Sequence, residues 1–115
     1  QYPPRAVYEI RPEGEVAFER WLRAPISRIR EVRSDFLVKL YFAMQREDTG
    51  LATSLIEEQA AVCAAIAAEH ESELAKVAPG SFDAIVIGSK LSAARLTEEW
   101  LRDVGRQLGL MSAAG

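Results

Sequence analysis

A chain of 115 residues, 49% hydrophobic and 27% charged, has the make-up of one globular domain, long enough to bury about two-thirds of its extended surface. Its uninterrupted apolar runs fall short of the roughly 18 to 20 residues a bilayer span needs, so a membrane protein is not expected. The net charge of −3 is uneven: through Arg46 nine Lys/Arg face six Asp/Glu, and beyond it five face eleven, a balance that disfavours direct nucleic-acid binding.

The lone cysteine, Cys63, has no partner for an internal disulfide, and no leader of charged then apolar residues is visible, so a reducing cytoplasm is the expected compartment. The sequence opens on Gln1 rather than Met, as a piece cut from a longer protein would.

In chain order, Tyr8-Glu9-Ile10-Arg11-Pro12-Glu13-Gly14 reads first as a strand ended by Pro-x-Gly, with its sheet partner missing. Val16, Ala17, Phe18, Trp21 and Leu22 then fall at helical spacing, with Pro12 suited to a first turn and Glu13 and Glu15 near the positive end of the dipole. A helix from about Pro12 to Arg23 is expected. Pro25 ends it, and PISRIREVR reads as an exposed basic connector.

Ser34 is the expected cap of a second helix, Asp35 to about Arg46, apolar on nearly every side from Phe36 to Met44 and therefore the buried centre. Lys39, the single charge in that run, marks a wet edge or lays its stem along a neighbour; a ligand-binding lysine is the alternative. Asp48 caps a third helix reaching about Val77, whose stripe of Leu51, Leu55, Gln59, Val62, Ile66, His70, Leu74 and Val77 is flanked by alanines. Small residues on opposite faces predict a helix sandwiched between neighbours. Pro79-Gly80 breaks it, and Ser81 caps a fourth helix to about Leu108 with two stripes: Phe82, Val86, Ser89, Ala93, Leu96, Trp100, Val104, and beside it Ile87, Leu91, Ala94, Leu101. Two long helices joined by a Pro-Gly turn predict an antiparallel αα-hairpin.

Catalytic chemistry is poorly represented. His70 and Glu73 form one His-x-x-Glu pair without the second histidine a dinuclear bundle site needs, so no metal is expected. Cys63, among Ala and Val, reads as a small core residue. Phosphate loops and nucleophile elbows are missing, and neither an enzyme nor a cofactor is expected. Trp21, Tyr41 and Trp100 either line a pocket for a flat apolar ligand or serve as core or interface anchors. The third and fourth helices carry more apolar surface than one partner covers, which predicts a homodimer.

YEIRPEGEVAFERWL resembles the end of the winged-helix module of PadR-like transcriptional regulators, where a Tyr-x-Ile/Leu-Thr-Pro-x-Gly strand closes the wing and runs into the next helix. EVRSDFLVKLYFA and LIEEQAAVCAAIAAE, in that order, resemble the family's C-terminal domain of the virulence activator alpha type. The resemblance spans nearly the whole chain. It implies a mainly α fold, a helical bundle with a long antiparallel αα-hairpin preceded by a remnant wing strand. Residues 1–23 would be the remnant of the winged-helix module and its following helix, and 24–115 a C-terminal dimerisation and effector-sensing domain. DNA would be met only through the missing N-terminal winged helix, with Arg5 near the wing tip as a backbone-phosphate contact or else a plain surface arginine. Arg11 stands where the family has a helix-capping Thr, which costs that terminus about 1 kcal/mol.

On this reading Leu96, Trp100, Leu101 and Val104, with Leu55, Val62 and Ile66, form the dimer interface and its supporting core, and a small molecule is a possible effector. The competing reading is a free-standing helical protein-interaction module with no DNA-binding origin, which leaves the strand before Pro12 unexplained.

Overall fold

A computed structural model describes residues 11–111, so the wing strand expected at Tyr8–Ile10 and the phosphate contact expected of Arg5 lie outside the described residues. Those residues form four helices and no strand: α1 (Pro12–Arg23), α2 (Ile29–Gln45), α3 (Thr49–Leu74) and α4 (Phe82–Gln107). The fold is mainly α, a helical bundle.

Local chemistry accounts for most of the helix ends. Pro12 starts α1 with Glu13 and Glu15 in its first turn, and Arg11 at the N-cap makes no side-chain capping bond, as expected of an arginine there. Asp48 accepts from the Leu51 N–H at 2.9 Å to open α3, and Ser81 accepts from the Ala84 N–H at 3.1 Å to open α4. At the end of α4, Gly109 has φ +74°, and the Gly109 N–H donates to the Arg106 carbonyl at 3.0 Å while Leu110 donates to Gly105 at 2.9 Å. That bond pair is a Schellman cap. α2 ends the same way, with Glu47 to Met44 at 2.9 Å and Asp48 to Ala43 at 3.1 Å, but here a glutamate holds the left-handed position at φ +54°.

α2 begins at Ile29, inside the stretch expected to be an exposed connector. Ile29, Val32 and Phe36 make the missing stripe at i, i+3 and i+7, obscured in sequence by the arginines and Glu31 between them. Val32 and Phe36 are fully buried. The expectation that α2 is the buried centre is corrected at the same time. Leu37, Val38, Tyr41 and Met44 are 46% to 58% exposed, because α2 packs on α3 and α4 along one face only.

The sandwiched helix is α3, which buries eight residues from Leu51 to Ala67 and lies against both α4 and α2. By length and composition α3 is apolar enough to cross a membrane. Glu57 and Glu58 interrupt it, so no unbroken apolar run in the sequence reaches span length. Rather less than half of that apolar stretch is buried against its neighbours. α4 buries its second stripe, with Leu91, Ala94 and Leu101 at 6% exposure or less, and leaves Phe82 and Leu96 of the first in the open. Leu22 of α1, Phe36 of α2, Ile56 of α3 and Leu101 of α4 share the larger core cluster; Ala67, Leu91 and Ala94 form a smaller one.

The bundle is flat. It measures 58 × 41 × 21 Å with a radius of gyration of 18.1 Å, against about 13 Å for a compact chain of this length. At 21 Å it is only about two helix diameters thick.

Candidate functional site

Two buried polar side chains fix the path from α1 into α2. Gln59, 1% exposed on the core side of α3, accepts from the Ile26 N–H at 2.7 Å and donates its Nε2 to the Ile26 carbonyl at 2.8 Å. One amide thus satisfies both backbone groups of a residue that lies outside any helix. Lys39, 3% exposed, donates to the Ala24 carbonyl at 3.0 Å and to the Trp21 carbonyl, and its Nζ lies 4.2 Å from the Trp21 ring centroid. These are end carbonyls of α1, so the ammonium caps that helix from its neighbour. Burial pushes the Lys39 ammonium below its usual 10.5, with Asp35 pulling the other way. Lys39 is therefore a structural tie. No buried side-chain nitrogen or oxygen among the described residues lacks a hydrogen-bond partner.

The residues expected at a dimer interface separate into three groups. Leu55 and Leu101 lie inside the chain's own core, at 5% and 0% exposure. Val62, Ile66, Trp100 and Val104 are half-buried, and Leu96 is exposed. The larger open apolar area includes residues the sequence reading had placed inside. Leu37, Tyr41 and Met44 recur at i, i+4 and i+7 along α2, with Val38 beside them. Phe82 and Ile85, at 76% and 63% exposure, extend the open face of α4 toward its start. A flat bundle leaves one side of each helix without a neighbour, and hydrophobic periodicity does not say which.

The three aromatics expected to line a pocket fall into two ring groups. Trp21 contacts Phe18 at 5.7 Å, Phe18 contacts Phe42 at 5.2 Å, and Phe42 contacts Tyr41 at 5.8 Å. Trp100 instead packs edge-on against Phe36 at 6.1 Å and borders a shallow cavity with Leu96, Glu99, Asp103 and Arg106. The rings act as packing anchors along α1 and α2 and, separately, between α2 and α4.

A roomier cleft lies where the start of α2 meets the middle of α4 and the second half of α3. Its volume is about 730 Å³. Arg28, Arg30 and Lys90 line it together with Ile29, Ile66, Glu69 and His70. Ile29 and Ile66 also pack on the smaller core cluster. His70 Nδ1 lies 3.0 Å from Glu73 Oε1. Nothing local in the sequence shows that residues 27–30 come to lie beside His70.

Cys63 is fully buried, and desolvation pushes its thiol above the usual 9.0, with a Gln59 hydrogen bond opposing. No group of three or more His, Cys, Asp or Glu side chains among the described residues is placed to hold a metal ion. Glu19 of α1 pairs with Arg46 just past α2 and with Arg23 one turn on, at 3.2 Å, and Arg46 holds its carboxyl below the usual 4.5. No protein family, curated protein or solved structure matches this chain.

Proposed function

We propose that the chain is the helical dimerisation and effector-sensing part of a PadR-like transcriptional regulator. It works in the cytoplasm as a homodimer without catalytic activity and meets DNA only through a winged helix N-terminal to it. The observation that carries this reading is the exposed apolar surface. Leu37, Val38, Tyr41 and Met44 on α2 and Phe82, Ile85 and Leu96 on α4 are each 46% to 76% exposed in a chain of otherwise ordinary composition. Apolar side chains grouped this way on a thin bundle call for a second surface to cover them.

The antiparallel αα-hairpin belongs to the same reading. It is supported by the ion pair between Glu71 of α3 and Arg95 of α4 and by the presence of Leu55 and Leu101 in one core cluster. Pairing would set the separation of two winged helices on two DNA half-sites, and a ligand favouring one geometry would shift DNA affinity.

Light scattering over a wide dilution range, on the parent and on Tyr41→Glu and Leu96→Glu, tests the pairing. Both positions are exposed, so a charge there leaves the monomer's core intact. Trp100 is a poorer probe because it packs on the buried Phe36. The parent is expected to be dimeric and at least one variant monomeric. A parent that stays monomeric at high concentration refutes pairing. The DNA link is tested separately, by whether the coding sequence upstream of Gln1 holds a helix-turn-helix and a first wing strand.

A further inference from the structure

We propose that the cleft between the start of α2, α3 and α4 binds a small organic anion, its acidic group held by Arg30, Lys90 and Arg28 and its apolar body laid on Ile29 and Ile66. Three observations converge. The cleft holds about 730 Å³, within the roughly 300 to 1,000 Å³ of small-molecule sites. Its charged lining counts three cations (Arg28, Arg30, Lys90) against one carboxylate (Glu69), a local balance of +2 in a chain whose net charge is −3. Among the described residues Arg30 and Lys90 form no ion pair, whereas Arg28 has Glu31 at 3.8 Å.

The apolar lining is of the opposite character. Ile29 and Ile66 are half-buried and packed on the smaller core cluster, which gives an apolar body a rigid surface to lie on. His70, whose Nδ1 is engaged by Glu73, also belongs to the lining. Cationic groups and apolar side chains in one lining select a molecule with both parts: inorganic phosphate lacks the body, and an uncharged aromatic lacks the head. The inference stands on the cleft alone and does not depend on dimerisation or on DNA binding.

The test titrates the full chain with anilinonaphthalenesulfonate, an amphipathic anion, beside its uncharged counterpart phenylnaphthylamine and inorganic phosphate. Backbone-amide NMR locates the probe. Saturable binding of one anion per chain is expected, with shifts confined to Ser27–Arg30, Ile66–His70 and Ser89–Ala93. Arg30→Gln and Lys90→Gln should each weaken it about fivefold, the effect of losing one solvent-facing charge contact, while their thermal unfolding matches the parent's. High salt should weaken the parent more than either variant. Absence of saturable binding overturns the proposal. So do shifts that centre on Leu37, Tyr41 and Met44, equal affinity for the uncharged amine, or unchanged affinity in both variants. Binding that disappears as concentration rises and copies associate would make the cleft a pairing face, which also overturns it.

Discussion

Replacing Gln59 by Leu should destabilise the chain by about 2 kcal/mol, although it puts a better core residue at a fully buried position. The Gln59 amide is the partner of both Ile26 backbone groups, at 2.7 and 2.8 Å. Leucine leaves both unpaired, at about 1 to 3 kcal/mol each when buried. Ile26 is only half-buried, so water reaches those groups part of the time and the lower figure applies to each. Urea unfolding with an unchanged slope, and a Tm lowered by roughly 8 to 15 °C, are the expected readings. Gln59→Glu supplies a second signature. An ionised carboxylate at this position still accepts from the Ile26 N–H but cannot donate to its carbonyl, whereas a protonated one can do both. That variant's deficit should therefore shrink as pH falls. A Gln59→Leu protein within about 0.5 kcal/mol of the parent would refute the account, since surface substitutions without consequence lie in that range.

Glu47→Gly should stabilise the α2–α3 junction by roughly 1 kcal/mol, because glycine takes the φ +54° position without the side-chain clash glutamate suffers; thermal unfolding checks it. Cys63 should react with an aromatic disulfide reagent only after unfolding, so a fast native-state reaction would contradict its burial. For Lys39 the folded pKa lies below the unfolded 10.5, so between the two values the unfolded chain holds more protons and stability rises with pH; the urea midpoint of the parent should climb in that window relative to Lys39→Met. Glu19 has the same sign at acid pH: its folded pKa lies below 4.5, so the Arg46 pairing helps above that value and is lost as pH falls through the lowered one, where parent and Arg46→Gln midpoints should converge.

What the sequence disclosed follows from how far each interaction reaches along the chain. Pro12 fixes its own φ, and Asp48 and Ser81 accept from amides three residues on, so the starts of α1, α3 and α4 were legible. The start of α2 was not, because Arg28 offers no capping side chain and the Ile29, Val32, Phe36 stripe is diluted by basic residues. Gln59 sat in the α3 stripe as an unexplained polar residue; its partner is 33 positions away. The role of Lys39 depends on carbonyls 15 and 18 residues earlier, and no local pattern signals that. The cleft was hidden for the same reason, since its walls come from three segments spread between Ser27 and Ala93. Leu101 and Leu55 were legible as apolar, but whether they face this chain or another depends on which sides of a thin bundle stay open.

The ties at Lys39 and Gln59 make α1 a lever. Its 12 residues span about 18 Å, and the ties described for it run from Phe18 and Glu19 to Trp21, Ala24 and the Ile26 that follows. A tilt of about 10° at the C-terminal end swings the Pro12 end by about 3 Å, which follows from the helical rise alone. The pivot rests on α2 and α3, so a small rearrangement among those helices is magnified at the Pro12 end, as a change of direction.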